Sequence, residues 1–119
     1  MTPQDMLRSA HGFTHLGWAN ELRVDDRRPD TPVVAAEFAG TSVSSTGDGG
    51  KPVDAAAVRA ENPCVRFLDR RRGYVRCAFT PAAWRADYVA VESVTRPGAP
   101  AVTAASFAVE AGRPGVHPA

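Results

Sequence analysis

Two histidines near the start of the chain have the type and spacing that could do metal chemistry. His11 and His15 are four residues apart in the run HGFTHLGWANEL, residues 11–22. On a helix this spacing would place both imidazoles on one face, which suits a weak metal pair. Gly12 and Gly17 disfavour a helix there, because glycine loses much backbone entropy when it is ordered. No third ligand lies nearby, so the spacing favours a loop with partly exposed histidines.

Arginines in the middle of the chain are a second group of candidates, because a guanidinium binds phosphate well. They are Arg66 and the run Arg70, Arg71 and Arg72. Acids are interspersed with the basic residues and the formal net charge is only +1, so no nucleic-acid partner is predicted. No other polar cluster converges on this run. A solvated hairpin end is therefore favoured over a phosphate site.

The two cysteines match no metal-binding spacing, and the chain has no CxxC motif. The apolar faces of the flanking strands predict a hairpin with Phe67 opposite Val75 and Val65 opposite Cys77. Side chains alternate along a strand, so this register turns Cys64 to the other face. A disulfide is therefore disfavoured, and two small, semi-buried thiols are expected.

The elements that must position these side chains are mostly predicted strands. Residues 13–24 indicate a loop that leads into a strand, and Val33–Gly40 is a short apolar run bounded by proline and glycine, typical of a buried strand. Four further runs predict an antiparallel meander: CVRFLD, GYVRCAFT, RADYVAVESV and AVTAASFAVEAG. The fold class is therefore mostly β.

One short helix and several turns are predicted between the strands. The run PVDAAAVRAENP, residues 52–63, has an early proline, alanines and a final Asn-Pro, which favour a helix of about three turns at most. The run TPAAW predicts a single turn capped by Thr80. Residues 41–52 predict an exposed, mobile loop. Asp48 within it lacks the repeated acids of a calcium loop and indicates a turn.

The composition allows one small domain with a thin core. Hydrophobic residues make up 44% of the 119 residues, but many of them are alanine, which buries little area. An independent fold with a good margin is therefore not expected. No apolar run approaches the roughly 20 residues that span a bilayer, so no membrane segment is predicted. The first ten residues lack the apolar core of a secretory signal, so a cytoplasmic location is expected if this chain is the whole product.

Three stretches carry a family resemblance: VVAAEFAGTSVSSTGDG, NPCVRFLDRRRGYVRCAFTPAAWRADYVAVESVTRPGAP and TAASFAVEAGRPG. Their order and spacing resemble the C-terminal part of the alkaline phosphatase D family, the PhoD-like phosphatases. The resemblance runs from about His15 to Gly115. It divides the chain into an atypical segment, residues 1–14, a C-terminal portion of a PhoD-like domain, residues 15–115, and a tail, residues 116–119. His117, in the proline-rich end of the chain, is expected to be disordered.

The resemblance implies a fold and an activity. Family members are several times longer and have a four-layer α/β/β/α domain with iron and calcium between the sheets. They hydrolyse phosphate monoesters and diesters, and are usually exported by a twin-arginine signal. Most of the catalytic set lies upstream in the family, so the predicted strands of this chain are scaffold. No catalytic or cofactor-binding residue is assigned, and no cofactor is expected for this chain alone.

The stretch at residues 11–22 holds the single candidate metal ligand. The family has G-D-x-H shortly before a tryptophan and then A-N-D/E-L, which Trp18–Leu22 matches. His15 falls at the position of the histidine and Gly12 at that of the glycine. Phe13 stands where the metal-binding aspartate should be, and a phenyl ring cannot coordinate a metal. His15 is therefore the one candidate metal ligand, and a partly exposed loop histidine remains the alternative for the isolated chain.

Three functions follow as hypotheses. The favoured one is a C-terminal fragment of an alkaline phosphatase D-like enzyme, inactive by itself. The second is one half of a phosphatase that needs a separate N-terminal half as its partner, with a phosphate ester as substrate only when the two are joined. The third is a small non-catalytic module that binds a protein through an exposed edge or face of its sheet.

Overall fold

Two antiparallel sheets and one short helix make up the fold. A computed structural model describes residues 15–49 and 53–119 of the chain. The elements in chain order are β1 (Gly17–Arg23), β2 (Val33–Ala39), α1 (Ala55–Glu61), β3 (Val65–Asp69), β4 (Gly73–Phe79), β5 (Ala83–Val91), β6 (Ala101–Glu110) and β7 (Arg113–Pro118). A three-stranded sheet has the order β2-β1-β3, and a four-stranded sheet has the order β4-β5-β6-β7. The prediction of a mostly antiparallel β fold with one short helix is confirmed.

The three-stranded sheet is the middle of three layers, because its side chains alternate between two covered faces. On one face Leu16, Trp18 and Val65 pack against Val58 of α1. On the other face Ala19 packs against residues of the four-stranded sheet. The resulting layers are helix, sheet and sheet, which fits part of a four-layer domain. No helix within the described residues is long and apolar enough to cross a membrane.

Aromatic rings fill the space between the two sheets. The ring centroids of Phe38 on β2 and Trp84 are 4.7 Å apart, and those of Phe67 on β3 and Tyr88 are 4.8 Å apart. Phe107 of β6 packs against both phenylalanines. Such tilted and edge-on ring pairs add stability beyond the area they bury. The few large side chains are thus concentrated where two layers meet, which offsets the high alanine content.

The helix ends at Asn62 as the sequence predicts, but it begins at Ala55, later than the predicted early position at Pro52. The carboxylate of Asp54 accepts a hydrogen bond from the main-chain N–H of Ala57 at 3.0 Å and caps the first turn. Asn62 ends the helix, and its side-chain amide donates to the carbonyl of Val58 at 2.8 Å. Pro52, the predicted early position of the helix, lies outside the described residues.

The predicted hairpin between β3 and β4 is wrong. β3 pairs with β1, and β4 pairs with β5, so the two strands belong to different sheets. Phe67 and Val75 do share one apolar cluster, but they meet across the space between the sheets. Two strands with matching apolar faces can pair side by side in one sheet, or they can pack face to face from two sheets. The sequence pattern is the same in both cases. Cys64 and Cys77 are both free; Cys64 is half-buried as expected, whereas Cys77 is exposed.

Two further local predictions are corrected. Residues 80–83 form the turn of the β4–β5 hairpin rather than a helical turn: the N–H of Thr80 donates to the carbonyl of Ala83 at 2.9 Å. The hydroxyl of Thr80 does cap this turn, because it accepts from the N–H of Ala83 at 3.0 Å. The end of the chain was predicted to be disordered at His117, but this residue lies in β7 and pairs with Ala108 of β6.

A buried carboxylate holds β7 against the three-stranded sheet. Glu21 is 7% exposed and accepts a hydrogen bond from the N–H of Val116 at 3.0 Å. Gly115 has a φ of 119°, in the region that favours glycine, and a Cβ there would lie 3.1 Å from the carboxylate. The last strand therefore belongs to the core, because Glu21 satisfies its main chain and Val116 is buried.

Candidate functional site

One end of the three-stranded sheet collects polar segments from distant parts of the sequence. β1 starts at this end, whereas β2 and β3 finish there, because both pair with β1 in the antiparallel sense. Gly17 pairs with Asp69, and Trp18 pairs with Ala39. The loop before β1, the loop after β2 and the turn after β3 therefore meet.

Arg72 lies at the centre of this meeting point and is buried, with 2% of its surface exposed. Its Nη1 donates to the hydroxyl of Ser42 at 2.6 Å and to the carbonyl of Ser45 at 3.0 Å. Its Nη2 donates to the carbonyl of His15 at 2.9 Å and to the carbonyl of Arg70. The prediction that Arg72 forms a solvated hairpin end is wrong, because the loop after β2 folds over it.

The carbonyl of His15 receives a second donor. The hydroxyl of Thr41, which is 26 residues away in the chain, donates to it at 2.8 Å. We call the group formed by His15, Thr41, Ser42, Ser45, Arg70 and Arg72 the Arg72 junction. It joins three segments through side-chain bonds to main-chain oxygens. The sequence reveals only the polar character of these residues, because none of the bonds is local except the one within the turn after β3.

The neighbouring arginines do not converge on a shared anion site. Arg71 forms an ion pair with Asp69, with 2.6 Å between Nη2 and Oδ2. Burial acts to raise the pKa of Asp69, but hydrogen bonds from the side chain and N–H of Arg71 outweigh it and lower the pKa. Arg66 lies 3.9 Å from Glu21 with its side chain 44% exposed. Arg71 and Arg66 therefore each lie beside a carboxylate of the chain, which disfavours a shared site for a bound anion.

The loop after β2 is tied down a second time through Asp48. Its carboxylate accepts from the N–H of Val94 at 2.6 Å and from the hydroxyl of Ser93 at 2.9 Å. These hydrogen bonds, the main-chain one first, lower the pKa of Asp48. The predicted turn at Asp48 is confirmed. The turn anchors the loop to the connection between β5 and β6.

His15 is the one predicted metal ligand that lies within the described residues. It is half-buried, and its main-chain oxygen is the atom that the Arg72 junction holds. His11 and Phe13 lie outside the described residues. No group of three or more His, Cys, Asp or Glu side chains in the described residues could hold a metal ion. A single imidazole does not fit a centre of iron and calcium, which needs several nitrogen and oxygen ligands.

A second polar cluster lies on the four-stranded sheet, and the sequence patterns did not single it out. Asp87 is 7% exposed and accepts a hydrogen bond from Ser106 at 2.6 Å. Arg76 and Arg85 each approach its carboxylate to 3.1 Å. The Ser106 hydroxyl, together with the two arginines, lowers the pKa of Asp87. We call these four residues the Asp87 cluster. The pairing register of β4, β5 and β6 could have revealed the cluster, because Asp87 lies directly across from Arg76 on one side and Ser106 on the other.

The layers and the polar end define the class of the protein. A helix on one sheet with a second sheet behind it is part of a layered α/β domain, and the sheet end with His15 is where its polar side chains gather. A family model described as "PhoD-like phosphatase" matches residues 11–88, which is more than half of the chain. The chain therefore belongs to the PhoD-like phosphatase family.

Two known proteins show how much of the family this chain covers. It is similar to "Alkaline phosphatase D" of Bacillus subtilis (strain 168), with 42% identity over 107 residues. That match covers 89% of this chain and 18% of the relative. A solved structure described as "Structure of PhoD" matches with a TM-score of 0.76 and 43% identity, over 82% of this chain and 19% of that one. The chain thus spans less than a fifth of either relative. The predicted correspondence to a C-terminal fragment of the family is confirmed.

Proposed function

We propose that this chain supplies the C-terminal sheet scaffold of a PhoD-like phosphoesterase domain and takes part in hydrolysis only when the rest of the domain is present. The observation that carries the proposal is the composition of the polar sheet end. The Arg72 junction holds this end together, but the described residues bring only one candidate metal ligand, His15, to it. The match to less than a fifth of each relative supports the same conclusion.

The partner in this proposal is the upstream part of a PhoD-like domain, whether it lies in the same polypeptide or in a second one. The substrate of the completed domain would be a phosphate monoester or diester. Its iron and calcium ligands would come mainly from the upstream part. This chain would contribute the strands that close the domain, and His15 at the end that faces the upstream part.

The test is to complete the domain. The chain replaces the matching C-terminal segment of the Bacillus subtilis relative, and hydrolysis of p-nitrophenyl phosphate and bis-p-nitrophenyl phosphate is measured with calcium and iron. We expect turnover by the completed domain, and none by this chain alone or by the upstream part alone. A folded completed domain without turnover would contradict the proposal, and so would equal turnover by the chain alone.

The same fusion tests the assignment of Phe13 and His15. Restoring the acid with Phe13→Asp should raise turnover, because the aspartate would add an oxygen ligand. His15→Ala should lower it, because the variant would lose the imidazole of the candidate metal ligand. Equal turnover with and without Phe13→Asp would show that Phe13 does not occupy the position of the aspartate. An unchanged rate in His15→Ala would remove His15 from the metal site.

An exposed edge strand favours protein binding as a second candidate function. β4 is an edge of the four-stranded sheet and carries two exposed aromatic residues, Tyr74 at 56% and Phe79 at 69% exposure. An edge of this kind can pair with a strand of another protein. A chain that is monomeric and gives well-dispersed amide signals without any phosphatase partner would support this function. An aggregated or molten chain would argue for the scaffold function instead.

A further inference from the structure

Arg72 is a buried cation whose bonding partners are all neutral. It forms none of the ion pairs among the described residues. Moving an unpaired charge out of water is costly unless hydrogen bonds replace its hydration. The nearest acid in the same turn, Asp69, is bound by Arg71 instead. Main-chain oxygens and one hydroxyl therefore have to compensate the charge of Arg72. The positions of these acceptors determine where the guanidinium lies.

The geometry of the guanidinium explains why arginine suits this place. Its planar fork directs donors in fixed, divergent directions, whereas a lysine ammonium is a compact point charge. Nη1 reaches the loop after β2 at Ser42 and Ser45, and Nη2 reaches the segment before β1 and the turn after β3. The contacts join residues 57, 30 and 27 positions apart in the chain. One side chain thus connects all three segments at the sheet end.

The bonds converge on a single main-chain atom, the carbonyl oxygen of His15. Arg72 donates to it at 2.9 Å and Thr41 at 2.8 Å. A carbonyl oxygen has two lone pairs, so these two donors satisfy it fully. Because the peptide unit is planar, holding this oxygen fixes the peptide plane that links His15 to Leu16. Rotation about the Cα–C bond is then the one backbone freedom between that plane and the His15 side chain.

We propose that Arg72 is a positioning residue: by binding the carbonyl of His15 together with Thr41, it fixes the peptide unit that carries His15 just before β1 and so limits where the imidazole can lie. The segments Gly40–Ser42 and Arg72–Tyr74 would then act as one unit, since they supply Thr41, Ser42 and Arg72. The relevance of this role to catalysis rests on the proposed function, but the role itself does not require the chain to be active.

Nuclear magnetic resonance of the full chain tests this role directly. The carbonyl ¹³C shift of His15 reports the hydrogen bonds that this oxygen accepts, and relaxation of the imidazole ring reports its mobility. In Arg72→Lys, which keeps the charge but loses the fork, we expect the carbonyl signal to move upfield and the ring mobility to rise. The matched control is Arg71→Lys, in the same turn, which should leave both His15 signals at their wild-type values.

Several results would overturn the proposal. They are unchanged His15 signals in a folded Arg72→Lys chain, an equal change in Arg71→Lys, and a random-coil carbonyl shift for His15 in the wild type. If Arg72→Lys does not fold, Thr41→Val removes only the second donor, and it should move the same carbonyl signal upfield by a smaller amount. No shift in a folded Thr41→Val chain would also count against the proposal.

The outcomes separate this role from the proposed function. An inactive completed domain, together with a His15 signal that shifts in Arg72→Lys, would overturn the proposed function and leave the positioning role intact. An active completed domain with an unaffected His15 signal would do the reverse. The His15 signal differs from a global stability measurement, because a purely structural arginine would lower stability without a selective change at His15.

Discussion

The Arg72 junction and the Asp87 cluster are both polar groups in a small β fold, yet they are built in different ways. Arg72 binds main-chain oxygens of segments that no β ladder joins. Asp87 binds the side chains of Arg76, Arg85 and Ser106, which lie on β4, β5 and β6. These three strands are already joined by ladders.

The difference indicates what each group does for the structure. Loops have no ladder, so removing Arg72 leaves the hydrogen bond from Thr41 to the His15 carbonyl as the remaining bond of the junction between the segment before β1 and the loop after β2. The strands around Asp87 remain paired by main-chain bonds when the carboxylate is lost. Side-chain exposures of 60% for Arg76 and 53% for Arg85 further weaken that cluster, because water screens the ion pairs. The Arg72 junction therefore holds main-chain segments in place, whereas the Asp87 cluster adds side-chain contacts to strands that are already paired.

The largest effect should come from Arg72→Met. Several buried oxygens would lose their donor at once, and we expect the free energy of unfolding to fall by about 3 kcal/mol. Urea unfolding of the full chain at neutral pH measures this loss. The control is Arg71→Met, which removes a partly exposed ion pair and should cost less than about 0.5 kcal/mol. Similar losses in the two variants would erase the distinction between the junction and an ordinary surface arginine.

A smaller effect is expected for Thr41→Val, which is nearly isosteric. The carbonyl of His15 would lose one of its two donors, at a cost of about 1 kcal/mol in the free energy of unfolding. Thr103→Val, an exposed position on β6, provides the matched control and should show no loss. If Thr41→Val costs no more than Thr103→Val in the same urea titration, the second bond to His15 contributes nothing.

The smallest effect, and the one that depends on pH, is expected for Asp87→Asn. At neutral pH we expect a loss below about 1 kcal/mol, because the two arginines are more than half exposed. The pKa of Asp87 is lowered in the folded protein. Its contribution is therefore present above the unfolded value of about 4 and is lost as the pH falls through the lower folded value. Wild type and variant should converge in acid.

The pH series also compares the two groups directly. A guanidinium stays charged throughout this range, so the deficit of Arg72→Met should not close as the pH falls. Urea unfolding of the wild type, Asp87→Asn and Arg72→Met at several pH values tests both statements together. A deficit of Asp87→Asn that persists in acid would show that its carboxylate acts by packing rather than by charge.

Much of the local structure could be predicted because its causes are local. The strands β2, β4 and β6, the alanine-rich helix α1 and the capping hydroxyl of Thr80 follow from apolar patterns and turn chemistry over a few residues. The interpretation of the chain end as disordered failed for a physical reason. β7 is polar and rich in proline and glycine, but Glu21, far away in the chain, satisfies its main chain.

The candidate site could be predicted only in part. His15 was placed from its motif, and the structure puts it at the polar end of the three-stranded sheet. Arg72 was interpreted as solvated, because a run of arginines beside an aspartate is usually exposed. What buries it is the loop after β2, and the contact between Ser42 and Arg72 spans 30 residues. No sequence window of helical or strand period contains such a pair.

The sequence by itself determined the family and the mostly β composition, because motif order and side-chain periodicity are properties of the chain alone. Only the tertiary structure decided that β3 and β4 lie in different sheets and that Arg72 is buried. The physical reason is the same in both cases. Apolar faces and hydrogen-bond donors can be satisfied by more than one partner, and the choice depends on which distant segments the packed layers bring together.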